Sequence, residues 1–84
     1  MSTWNVAHVK DGGMSYAVVL VKDSAIQDLH GRDRIVMAWQ AKLGCCVALL
    51  GERRFQTYGA AHVVGRLRNV HPSRLPWRQM RLAA

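Results

Sequence analysis

Seven arginines, Arg53, Arg54, Arg66, Arg68, Arg74, Arg78 and Arg81, follow the last acidic residue, Glu52, with no lysine and no carboxylate among them. Up to Glu52, five basic and five acidic side chains cancel, so the formal charge of +7 lies wholly in residues 53–84. Such a field draws polyanions, and the guanidinium fork binds phosphate in a planar, bidentate way that an ammonium cannot. Trp77 and Tyr58 both stand within the span of these arginines. Cations interleaved with aromatic rings suit single-stranded nucleic acid, where the cations neutralise backbone and the rings stack on bases. Arg53, Arg54, Arg66, Arg68, Arg74 and Arg78 are therefore the expected phosphate contacts, with Trp77 as the stacking platform. The bland counterpart is a solvated basic surface produced by a compositional preference for arginine over lysine.

The other reactive residue types form no comparable group. His8, His30, His62 and His71 have no second ligand at metal spacing, and the adjacent Cys45 and Cys46 are not the two-residue-gapped zinc pattern. His62 lies four residues after Tyr58, a spacing open to an acid–base pair but far commoner as two surface side chains. Cys46 falls in an apolar run and reads as a small core residue, since an activated thiolate needs a cationic or polar neighbour. Asp23, Asp28 and Asp33 are five apart and mixed with Arg32 and Arg34, which does not hold them on one helical face. Gly12-Gly13 is a turn with no helix opening after it, so it is no phosphate cradle. No catalytic, metal-binding or cofactor-binding residue is assigned, and the chain reads as a non-catalytic protein without a cofactor.

The least generic stretch is 69–78, with His71, Pro72, Pro76 and Trp77 in ten residues. It reads either as a restrained binding loop or, favoured two to one, as a wrap over the sheet that buries Leu75 and Trp77.

The elements that must position these residues follow from periodicity. Residues 4–9 alternate, with Trp4, Val6 and His8 on one side and Asn5, Ala7 and Val9 on the other. Asp11-Gly12-Gly13 then predicts a hairpin turn into an almost wholly apolar strand over 15–21, apolar on both faces and hence central. Residues 24–43 read as helical, broken near Gly31, with Ile35, Val36, Trp39 and Leu43 as the apolar stripe and Gly44 as the C-terminal cap. Residues 45–50 are a short buried strand, parallel to the one before the helix. Residues 55–58 alternate as an exposed strand. Residues 60–70 form a helix with Ala60, Val63, Val64 and Leu67 inward, stopped by His71-Pro72. A final edge strand or tail spans 78–82.

The expectation is one domain, 1–84, of α+β class: a small single sheet of four to five strands with two helices on one face, in the order β-β-α-β-β-α-tail. Trp39 and Leu43 are expected to pack on Val18, Leu20, Val47 and Leu49. The N-terminus lacks a basic start followed by an apolar run, and no stretch is long enough to cross a bilayer. A cytoplasmic protein without membrane contact is expected. Half of the residues are hydrophobic, yet so short a chain buries only about 60–65% of its unfolded surface, so a homo-oligomer is expected.

The step Arg54-Phe55-Gln56-Thr57-Tyr58-Gly59-Ala60-Ala61 resembles the strand-to-helix transition of small uncharacterised proteins carried by plasmids and mobile gene cassettes. The resemblance covers eight residues. It implies an orphan protein of that type and supplies no catalytic residues. Three functions compete. The first is a small basic binding module for nucleic acid. The second is a protein–protein interaction or self-assembly module, of accessory or antitoxin-like type, whose arginines meet an acidic protein. The third is a small ligand-binding or enzymatic domain with a site at a dimer interface.

Overall fold

The computed structural model describes residues 3–81, apart from the side chain of Asp11. Strands β1 (Thr3–Asp11) and β2 (Met14–Val21) form an antiparallel hairpin closed by the pair Asp11–Met14. Its two central residues, Gly12 and Gly13, have φ of 58° and 80°, the left-handed pair that a tight hairpin turn needs and that glycine adopts without strain. Helices α1 (Asp23–Gln27) and α2 (Gly31–Leu43) follow, then β3 (Cys46–Gly51), which runs parallel to β2. The chain continues through β4 (Thr57–Gly59), α3 (Ala61–Leu67), a 3-10 turn at Pro72–Arg74 and β5 (Trp77–Arg81). The five strands make one mixed sheet in the order β4-β3-β2-β1-β5.

The α+β class, the single sheet and the order of elements are as the pattern predicts. The expected placement of both helices on one face is not what forms. Trp39 of α2 and Ile26 of α1 share a core with Val6, Ala17, Val19, Val47 and Leu49. Val63 and Leu67 of α3 share a second core, on the opposite face, with Ala7, Tyr16, Val18, Ala48 and Leu50. The cause is the apolar run of β2 itself. Val18 and Val19 point to opposite faces, as successive strand residues must, and both are fully buried. Helices on one face alone would leave Tyr16, Val18, Ala48 and Leu50 against water. The connection from β4 at one edge to β5 at the other crosses the sheet and supplies the missing cover. The same parity corrects the expected partners of Trp39: Val47 and Leu49 pack with it, whereas Val18 and Leu20 belong to the α3 face.

Element ends differ by a few residues. Asp28 Oδ1 accepts hydrogen bonds from the backbone N–H of His30 (3.3 Å) and Gly31 (3.0 Å), so the long helical stretch divides at that point. A side chain at Gly31 would run into the same carboxylate. Gly44, with φ of 68°, caps α2 as expected. The exposed strand begins at Thr57 instead of Phe55, because Phe55 adopts φ of 53°, which no strand accommodates. The last strand is β5, at the sheet edge; Leu82, its expected end, lies outside the described residues.

Candidate nucleic-acid interface

The parallel pair β2–β3 ends beside the first turn of α1, and the turn from β3 to β4 is built against it. Glu52 N–H donates to the Val21 carbonyl at 2.9 Å, and Gly51 N–H to the Gln56 carbonyl at 2.8 Å. Asp23 Oδ1 accepts from the backbone N–H of Arg53 (3.3 Å) and Arg54 (3.4 Å). The carboxylate of Asp23 is thus engaged by main chain. The Arg53 and Arg54 side chains are exposed at the tip of a pinned turn.

Phe55 follows, 49% exposed and at positive φ. Across from it runs the chain that leaves α3, and the two segments enclose a groove of about 540 Å³. Leu50, Leu67 and Leu75 form an apolar floor; Phe55 and Gln56 make one wall, and Arg68, Asn69 and His71 the other. The far wall is rigid. Ser73 N–H donates to His71 Nδ1 at 3.2 Å, Arg74 N–H to the His71 carbonyl at 2.9 Å, and Trp77 Nε1–H to the Pro72 carbonyl at 2.8 Å. With Nδ1 accepting, the neutral His71 ring carries its proton on Nε2 as a donor. The groove therefore presents one guanidinium, that of Arg68, together with neutral hydrogen-bonding groups and an aromatic ring above an apolar base.

The arginines named from the sequence divide in space. Arg68 lines this groove, Arg53 and Arg54 stand in the turn that carries Phe55, and exposed Arg74 precedes the floor residue Leu75. Arg66 is exposed on α3. Arg78 is elsewhere. It lies opposite Val6 in the β1–β5 ladder and so faces the α2 side of the sheet. Trp77 is not an open stacking platform, since its ring packs in the α3-side core and its N–H is bonded to Pro72. The wrap, and not the free binding loop, is what residues 69–78 form.

Tyr58 is also committed. Its hydroxyl donates to Asp33 Oδ1, and the Arg32 guanidinium sits 4.0 Å from the centre of its ring. The hydrogen bond to Asp33 pushes the Tyr58 phenol up, helped by burial and by the Asp33 charge. This leaves Tyr58 as a clasp between β4 and α2, and its hydroxyl's acid–base role with His62 does not form. Cys46 packs in the α3-side core, as its apolar context predicts. Among the described residues, no three His, Cys, Asp or Glu side chains converge to hold a metal ion. No described helix is long and apolar enough to cross a membrane.

Phe55 is the functional candidate that pattern reading passed over. The alternation of 55–58 reads it as one residue of an exposed strand, on the same face as Thr57. The available signal was its position directly after Arg53-Arg54, at the start of an irregular step that a β-branched strand former would have avoided. No protein-family model, curated protein or solved structure matches this chain.

Proposed function

We propose that the protein is a small, non-catalytic module that binds single-stranded nucleic acid in the groove between the β3–β4 turn and the segment after α3. One observation carries the reading: Phe55 is a half-exposed phenylalanine held at φ of 53° directly after an arginine pair, on the wall of a groove that Arg68 also lines. The left-handed conformation costs a non-glycine residue about 1–2 kcal/mol. Backbone strain of this kind concentrates where a binding surface needs a particular geometry. A ring presented at that point is a platform for a base; Arg68 in the groove and the exposed Arg53, Arg54 and Arg74 are the candidates for contacting phosphates. An apolar floor favours an unpaired base over the edge of a duplex, whose bases are stacked inside.

The test is fluorescence anisotropy with a labelled single-stranded oligonucleotide at two salt concentrations. Four phosphate contacts give a log–log salt slope of about −3 on a single strand, and Arg68→Ala should reduce it by about 0.7. Absence of binding at low salt, or a slope unchanged in Arg68→Ala, rejects this reading.

Self-assembly is the second reading, and the edges β4 and β5 favour it, because each has backbone donors and acceptors with no further strand beside them among the described residues. Light scattering at micromolar concentration separates a monomer from a dimer.

A further inference from the structure

The displaced Arg78 is the starting point. On the α2 face of the sheet, near the hairpin end, it joins His8 and Lys10 of β1 around a second concavity of about 420 Å³, with Val6, Leu43 and Met80 as its apolar part. No carboxylate is among the described residues that line it. The topology makes this grouping. β5 pairs with β1 so that Arg78 falls opposite Val6, two residues from His8, while the C-terminal end of α2 brings Leu43 over the same face. His8 is held in place: Ser15 Oγ lies 3.0 Å and Cys45 Sγ 3.8 Å from its Nε2. A guanidinium, an ammonium and a fixed imidazole from two adjacent strands thus converge beside an apolar surface.

We propose that this concavity is a separate binding site for a small organic anion, a phosphate monoester or carboxylate that carries an apolar group. The guanidinium and ammonium supply charge-assisted hydrogen bonds to the anionic oxygens, and Leu43 and Met80 cover the apolar body. The site lies on the opposite side of the sheet from Arg68 and Phe55, so it neither depends on the nucleic-acid reading nor fails with it.

The experiment is a titration of the ¹⁵N-labelled protein, followed by NMR, with phenyl phosphate, benzoate and inorganic phosphate as probes. The expected result is saturable shifts confined to residues around His8, Lys10, Leu43, Arg78 and Met80, with phenyl phosphate or benzoate binding at least several-fold tighter than inorganic phosphate. Arg78→Gln and Lys10→Gln should each weaken that probe by about tenfold, the scale of one charge-assisted hydrogen bond. Arg68→Gln should leave the affinity unchanged, and the same spectra report whether each variant is folded. Shifts spread over all exposed cations, shifts centred on Arg68 and His71, or equal affinity for inorganic phosphate would overturn the proposal. So would an Arg78→Gln variant that binds as the native chain does.

Discussion

Replacing Phe55 separates a ring that serves the fold from a ring that serves a ligand. Three contributions set the stability change in Phe55→Gly. Burying a whole phenylalanine contributes about 1.5–3 kcal/mol, so a ring that is 49% exposed loses about 1 kcal/mol when removed. Glycine's extra freedom in the unfolded chain costs a further 0.5–1 kcal/mol, roughly. Against these, relief of the left-handed φ of 53° returns about 1–2 kcal/mol. The sum lies within about 1 kcal/mol of zero. Phe55→Ala loses the ring but keeps a Cβ at positive φ, so it should be less stable than Phe55→Gly by about 0.5–1 kcal/mol. Urea melts of the three proteins measure this order. Both variants should weaken single-strand binding by about 1–3 kcal/mol, or about 5- to 150-fold, the range for one stacked base. Two results would refute the reasoning. Unchanged oligonucleotide affinity in a folded Phe55→Gly removes the ring from the interface, and a stability loss above about 2 kcal/mol makes Phe55 a core residue.

Trp39 is fully buried, with its ring edge-on to Trp4 at 5.9 Å, and Trp39→Ala should cost about 3–5 kcal/mol in denaturant melts. Its indole N–H is buried and has no hydrogen-bond partner among the described residues, so Trp39→Phe, which removes that donor and keeps an aromatic ring, should cost far less, about 1 kcal/mol or below. Gly59→Ala should destabilise the β3–β4 pair, because φ is 148° and a Cβ would stand 2.9 Å from the Ala48 Cα; loss of protection of the Leu49 and Gly51 amides, whose N–H groups face β4, reports it in hydrogen exchange. The Asp28 carboxyl is held below its ordinary 3.8, chiefly by the Gly31 backbone N–H. Its contribution is therefore present above about pH 4 and lost as pH falls through the lowered value, a loss that Asp28→Asn should remove from the acid limb of the stability profile.

Some of this protein follows from the order of its residues alone. The glycine pair of the hairpin and the glycine that caps α2 act through local backbone sterics, so neighbours in sequence suffice to place them, whereas α3 ends at Leu67, before the expected stop at His71-Pro72. Alternation in β1 likewise assigns Trp4, Val6 and Ala7 to their faces before any fold is known. The one-sided charge is a property of composition and needs no structure at all. Tertiary structure decided the rest. An apolar run such as β2 announces that both faces are covered but does not say by which helix, and only the path from β4 to β5 across the sheet sends α3 to the second face. That path also fixes which charges meet. Trp77 and Arg78 are neighbours in the chain, yet strand parity sends the tryptophan into the α3-side core and the arginine to the α2 face beside His8, seventy residues away. Phe55 and Arg68, thirteen residues apart, are brought to one groove because Asp23, on another element, pins the turn between β3 and β4. Local sterics are short-ranged and can be read along a sequence; the convergence of side chains depends on register and chain path, which are settled only when both apolar faces of the sheet are covered at once.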